Sequence, residues 1–188
     1  MSDTDSSPES LRKFLESDDP SLVLMGLSMA KGVGVDEELL PLVLAHAVLS
    51  EEEEVRRIGE DTFAEHAPDE LRNLPSALKA KDQDALNAMD EVALEFWLSV
   101  LAQFLGSVLA EERFDYAATI VTRLGEIGDS RTIEPLLEIA GQAVPSEDCD
   151  GGDLATAFVQ TVEKLGGLPL FYKQVSQTQA VELTLGLI

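Results

Sequence analysis

Apolar residues recur every three or four positions along most of this chain, which is the spacing of one buried helix face. The clearest case is the stretch 115–128, whose apolar positions are Ala117, Ile120, Val121, Leu124 and Ile127. A second short helix is predicted over 130–141, where it would bury Ile133, Leu136 and Leu137, with Ala140 as a further candidate. The pattern therefore predicts a helical hairpin over 115–141.

The ends of these two helices are predicted from residues that cap helices. Asp115 suits the first N-cap, because its carboxylate can accept the free amides of the opening turn. Gly128 follows the last apolar residue, where a left-handed stop is easiest for glycine. Asp129 or Ser130 can cap the second helix. Pro135 would then be its sixth or seventh residue and would bend it, unless the first turn starts later.

The same spacing predicts helices through the rest of the chain. Their expected ranges are 8–15, 21–31, 36–49, 51–66, 68–80, 84–89, 91–109, 153–165, 168–175 and 179–188. The helix at 21–31 is apolar on most sides, so we expect it to be buried. The helix at 91–109 is the most hydrophobic, and its Phe96 and Trp97 fit the core better than an exposed interface.

Polar stretches indicate how the chain is divided. Residues 1–7 are polar and acidic, which predicts a disordered tail. Residues 8–188 are then predicted to form a single helical domain. The polar stretch 79–84 interrupts the apolar spacing and is a candidate boundary within that domain.

Parts of the hairpin recur elsewhere in the chain. Gly34 and Pro41 are seven residues apart, as are Gly128 and Pro135. The segment 162–166 repeats residues of the segment 121–125 at an offset of 41, although the positions after it depart from the pattern. A pair of helices at 51–80 matches more weakly. Such recurrence predicts a repeat protein, in which each helical pair needs neighbours on both sides to bury its apolar faces.

The segment LGEIGDSRTIEPLL at 124–137 resembles the HEAT repeat, and is most similar to the subclass also found in phycobilisome lyases. The shared pattern is L-G-x-I-G-D, then Arg, then I-x-x-L-L. The resemblance implies an all-α, right-handed α-α superhelix, a HEAT-like solenoid of about five antiparallel helical pairs. It also implies that second helices line a concave docking face, here the exposed positions of 130–141 and 36–49: Arg131, Glu134, Glu138, Glu37 and Glu38.

Charge is the strongest feature of the composition, since 13 Lys and Arg face 36 Asp and Glu for a net charge of −23. A field of this sign disfavours nucleic acid and anionic membranes as partners. It indicates either an acidic surface for binding a partner or adaptation to a salt-rich cytoplasm. The polar start, the lack of a bilayer-spanning apolar run and the single cysteine, Cys149, predict a cytoplasmic protein.

Candidate chemistry is sparse, and we predict no catalytic, cofactor-binding or metal-binding residue. The acidic loop 148–153 lacks the glycine and glutamate spacing of an EF-hand. His46 lies among apolar residues and is expected to be a core histidine, whereas His66 ends a helix. Cys149 has carboxylate neighbours, which disfavour the thiolate that a nucleophile requires.

The expected function is therefore a non-enzymatic scaffold or adaptor whose concave, acidic face binds another protein with a basic or polar surface. One alternative is a HEAT-like lyase that handles a cofactor or chromophore. Another is an all-α chaperone of the kind that matures molybdenum oxidoreductases. The E-P-x-D-H motif of those chaperones is absent, because Glu134-Pro135 is followed by Leu-Leu-Glu. The sequence leaves the partner and the oligomeric state open.

Overall fold

The computed structural model describes residues 8–106, 113–142 and 152–167, and within these ranges all regular structure is helical. The predicted all-α class is confirmed. The α-helices are α1 Pro8–Leu15, α2 Pro20–Val33, α3 Leu40–Leu49, α4 Glu53–His66, α5 Leu74–Lys79, α6 Gln83–Asn87, α7 Leu94–Gly106, α8 Arg113–Ile127, α9 Ile133–Gln142 and α10 Gly152–Lys164. The predicted tail at 1–7 and the predicted helices at 168–175 and 179–188 lie outside the described residues.

Local capping explains where α2 begins and ends. The Asp19 side chain accepts the backbone N–H of Ser21 at 2.9 Å, and Pro20 occupies the first helical position, where its missing N–H costs nothing. Gly34 ends the helix with a φ of +94°, a conformation that a residue with a Cβ rarely adopts. The predicted helix at 21–31 is confirmed, and it extends to Pro20 at its start and through Gly32 and Val33 at its end.

The two stretches that share the seven-residue spacing also share a local structure. Gly34 and Gly128 both have a positive φ, and each precedes a 3-10 turn, at Glu37–Leu39 and Ser130–Thr132. An α-helix follows each turn directly. Pro135 therefore lies in the first turn of α9, where no intrahelical N–H is required, and the alternative of a later first turn is confirmed. The 3-10 turn delays the helix by three residues.

The helices form a row in which each contacts the next. The order is α1, α2, α4, α3, α7, α8 and α10, and α9 lies against α7 and α10. Within the described residues, α8 makes few direct contacts with α9, and α2 makes few with α3. Each helix of these predicted pairs thus buries its apolar face mainly against a neighbour outside the pair.

Glycine allows three of these helix pairs to approach closely. A Cβ at Gly26 of α2 would lie 2.9 Å from the Phe14 Cβ on α1, and one at Gly125 of α8 would lie 2.9 Å from the Thr161 Oγ1 on α10. At Gly59 of α4 the added atom would lie 3.0 Å from the backbone nitrogen of Ala47 on α3. The missing side chains therefore set the distance between neighbouring helices.

The core runs along this row and has α3 at its centre. All ten residues of α3 are buried, as are the large side chains of Phe63, Trp97 and Phe104. Trp97 is fully buried, which agrees with its predicted place in the core. Helix α7 nevertheless exposes one side, at Glu95, Ser99 and Ala102.

Several predicted boundaries shift by a few residues. Helix α4 begins at Glu53 rather than Glu51, and α7 begins at Leu94 after a turn. The range 68–80 divides into a 3-10 turn at Asp69–Leu71 and α5. The candidate boundary at 79–84 is tied into the row, because Lys79 pairs with Glu60 of α4 and Lys81 pairs with Asp115 of α8.

His46 connects α3 to the end of α1. Its Nε2 lies 2.6 Å from the carbonyl oxygen of Leu15, the last residue of α1, and the ring is buried. Burial lowers the pKa of His46 below its usual value near 6.5, and the hydrogen bond to the Leu15 carbonyl opposes that shift only in part. The neutral ring donates from Nε2, so His46 is a core histidine, as predicted.

The lowered pKa predicts a loss of stability in mild acid. Between the pKa of the folded state and about 6.5 the unfolded chain binds more protons, so the free energy of unfolding falls as the pH drops through this window. Above about pH 6.5, protonation of His46 should no longer change the free energy of unfolding. His46→Gln, which keeps a donor, should flatten this dependence in urea titrations at pH values from about 7.5 to about 5. His66→Gln is the matched control, and an unchanged slope in His46→Gln would contradict the assignment.

Candidate functional site: an exposed charged face on α9

The structure places three of the predicted docking residues on one exposed face. Arg131 lies in the 3-10 turn before α9, and Glu134 and Glu138 follow at helical spacing on α9 itself. The opposite side of the same segment is buried, at Thr132, Ile133, Leu136 and Leu137. The buried side fixes the segment on the row, so its charged side is presented to solvent in one orientation.

Asp129 holds the Arg131 side chain in place. Its carboxylate accepts the Arg131 backbone N–H at 2.9 Å, which caps the 3-10 turn. It also accepts from Nε at 3.0 and 3.1 Å and from Nη2 at 2.6 Å, which is a two-pronged contact. The Arg131 side chain is still 73% exposed. A guanidinium held in this way loses little freedom when a second molecule binds beside it.

The same contact shifts both pKa values. The hydrogen bonds from the Arg131 side chain, and then that from its backbone N–H, hold the pKa of Asp129 below its usual range. The pKa of Arg131 is raised by the same carboxylate. Glu95 of α7 also acts on Arg131 through its charge. Asp129 and Glu95 act directly on the Arg131 guanidinium, and Glu134 and Glu138 add two exposed carboxylates to the same segment, so the face is acidic.

Glu37 and Glu38, the other two predicted docking residues, lie elsewhere. Both are exposed in the 3-10 turn before α3, and Glu38 is 3.8 Å from Arg12 of α1. Helix α3 is buried at every position, so it provides no docking surface, and that part of the prediction is wrong. Neighbours on several sides, α4, α5 and α7, cover it. Helix α7 lies between α3 and α9 and contacts both.

Sequence reasoning missed an apolar surface on α2. The helix exposes Leu22, Met25 and Val33, although it was expected to be buried on most sides. The positions 22, 25, 29 and 33 are three or four residues apart and lie on one face. That spacing is visible in the sequence. The side that faces solvent depends on where α1 and α4 pack, and the sequence does not show this.

A polar cleft of about 300 Å³ lies between α6, α8 and α10. Its lining includes Lys81, Asp115, Thr119 and Thr122. The two threonine hydroxyls donate to the carbonyl oxygens of Asp115 and Ala118, and Lys81 pairs with the Asp115 carboxylate. The two hydroxyls and the Lys81 ammonium are therefore paired within the chain.

Within the described ranges, no three His, Cys, Asp or Glu side chains form a group that could hold a metal ion. Cys149 and most of the acidic loop at 148–153 lie outside those ranges. None of the helices in the described part of the chain is long and apolar enough to cross a bilayer. The chain matches no known protein family, curated protein or solved structure.

Proposed function

We propose that the protein is a non-enzymatic scaffold or adaptor that binds another protein on the acidic face of α9. The observation that carries this proposal is the Asp129–Arg131 contact, which holds a largely exposed guanidinium on a segment whose other side is buried. Glu134 and Glu138 continue the same face. We further propose that the helices form a HEAT-like superhelix, as the resemblance at 124–137 implies, with this face on its concave side.

The charge of this face indicates the chemistry of the partner. The segment carries three carboxylates, at Asp129, Glu134 and Glu138, against the one guanidinium of Arg131, so it attracts lysine and arginine side chains and repels acidic surfaces. The Arg131 guanidinium is already paired with Asp129. It is the one position on this face where the partner would place a carboxylate or a carbonyl oxygen. Charges that are already oriented favour rapid and selective association. The partner expected here is a protein with a basic surface that carries an acceptor near its centre.

Capture of partners from lysate tests the proposal. The tagged chain would be immobilised, exposed to lysate of the source organism at its own salt concentration, and its bound proteins identified by mass spectrometry. We expect one stoichiometric protein that is lost with Glu134→Lys/Glu138→Lys. Glu51→Lys/Glu52→Lys is the matched control, since it makes the same change of charge at exposed residues before α4.

Two results would count against this function. Equal capture of the protein by the α9 variant and the control variant would show that the α9 face is not the docking surface. A bound coloured or ultraviolet-absorbing small molecule, with no protein partner, would favour the alternative in which the chain handles a cofactor or chromophore. Circular dichroism of both variants would first establish that they are folded.

A further inference from the structure

The outer face of α2 is apolar and carries no charge. Leu22, Met25 and Val33 are 37%, 48% and 58% exposed, and Met29 between them is partly buried against the core. The stripe is about 17 Å long at the rise of an α-helix. Lys31 is the single charged residue of α2, and it pairs with Glu65 of α4 at 3.9 Å. In a chain with 26% charged residues, such a face is unusual.

Acidic residues stand at both ends of this stripe. Glu16, Asp18 and Asp19 precede α2, and Asp36, Glu37 and Glu38 follow it. All six are exposed. Arg12 contacts Glu16 at 3.7 Å and Glu38 at 3.8 Å, so it offsets one of these charges. The surface is therefore an apolar centre with a negative field at each end.

The side chains and the surroundings suit a helix as occupant. Methionine is flexible and polarisable, so Met25 and Met29 can adapt to the side chains of a partner. A cleft of about 420 Å³ opens between α2 and α4, and its lining is partly charged: Ser28, Lys31, Gly32, Arg57, Ile58 and Asp61. A Cβ added at Gly32 would meet no atom within 4 Å, so there is room beside the stripe. An amphipathic helix could lie along α2 with one edge over this cleft.

We propose that the outer face of α2 binds an amphipathic helix of another protein, whose apolar stripe is flanked by lysine or arginine at both ends. Charge selects this occupant over a second copy of the chain, because two copies with a net charge of −23 each repel one another. The surface is separate from the acidic face of α9 and does not depend on it.

A defined peptide tests this inference. The probe is a fluorescein-labelled helical peptide of about 17 residues, with leucines three and four residues apart on one face and two lysines at each end. Its affinity for the full chain would be measured by fluorescence anisotropy. A peptide of the same composition with the leucines scattered around the helix is the control, and it should bind at least about tenfold more weakly.

Variants of the protein locate the site. Met25→Glu and Val33→Glu should each weaken binding by about tenfold, since each places a charge within the apolar contact. Val159→Glu on α10 is the matched control, because Val159 is 42% exposed and the change of charge is the same. Asp18→Lys/Asp36→Lys should weaken binding mainly at low salt. The variant Glu134→Lys/Glu138→Lys should bind the peptide as the wild type does, which separates this site from the α9 face.

Three outcomes would overturn the proposal. The first is that Met25→Glu and Val33→Glu bind the peptide as tightly as Val159→Glu does. The second is that the scattered peptide binds the wild type as tightly as the patterned one does. A dimer in sedimentation experiments that Met25→Glu abolishes would assign the face to a second copy. Circular dichroism checks that each variant is folded. Val33→Ser removes an apolar side chain without adding a charge, and so tests the apolar contact by itself.

Discussion

Replacing Trp97 with alanine is expected to lower the free energy of unfolding by about 3–5 kcal/mol. Trp97 is fully buried on α7, and the guanidinium of Arg123 lies 5.9 Å from the centre of its ring. Arg123 is itself buried and donates to the carbonyl oxygen of Met89 at 3.0 Å. Removing the indole therefore leaves a cavity and weakens the support of a buried cation.

Urea titration followed by circular dichroism measures this effect, since the variant has lost the single tryptophan and urea adds no salt to a highly charged protein. Phe96→Ala is the control. Phe96 is an edge-on neighbour of Trp97, with ring centres 6.3 Å apart, but it is only partly buried and should cost about 1–2 kcal/mol. A loss below about 1 kcal/mol for Trp97→Ala would place this ring outside the core.

The second large effect is expected at Gly59, where alanine should destabilise the fold by about 1–2 kcal/mol. The added methyl group would lie 3.0 Å from the backbone nitrogen of Ala47 and 3.1 Å from its Cα. These atoms belong to α3, which is buried on every side, so they have little freedom to move. The gain in helix propensity offsets part of the overpacking but does not exceed it.

Gly32→Ala is the matched control on α2. A Cβ there meets nothing within 4 Å, so only the gain in helix propensity remains, and stability should rise by about 0.5 kcal/mol. The two variants make the same chemical change and are expected to have opposite signs. If Gly59→Ala were as stable as Gly32→Ala in urea titrations, the close contact between α3 and α4 would be contradicted.

The features that could be predicted from the sequence are those set by neighbours along the chain. Asp19 and Pro20 start α2, and Gly34 ends it, because capping involves only a few adjacent residues. The turn before α9 shows the limit of such reasoning. Asp129 was identified as a cap, but the 3-10 turn that follows it moves the start of α9 to Ile133.

Features that depend on packing could not be predicted in the same way. The stretches 21–31 and 36–49 are both strongly apolar, yet α3 is buried at all positions while α2 exposes Met25 and Val33. The difference arises because α3 lies between α4 and α7, whereas α2 lies near the end of the row. The contact at Gly59 likewise depends on a residue of another helix, and the sequence does not show which helix that is.

For the candidate site, the positions Arg131, Glu134 and Glu138 are those that the resemblance at 124–137 implies, and all three are exposed. The contact with Asp129 that orients the Arg131 side chain was not predicted, although the two residues are only two positions apart. A capping role accounts only for the backbone amide that the Asp129 carboxylate accepts, and here the carboxylate also accepts from the Arg131 side chain. Glu37 and Glu38 are exposed as expected, in the 3-10 turn before α3, whereas α3 itself is buried at every position.

The measurement that tests the scaffold function most directly is calorimetric titration of the captured partner at several KCl concentrations. The wild type and Glu51→Lys/Glu52→Lys should bind it with similar affinity, and this affinity should fall as salt screens the charges. Glu134→Lys/Glu138→Lys should bind at least about tenfold more weakly at the lowest salt, with a smaller dependence on salt. Equal affinities for all three proteins at every concentration would contradict the assignment of the α9 face as the docking surface.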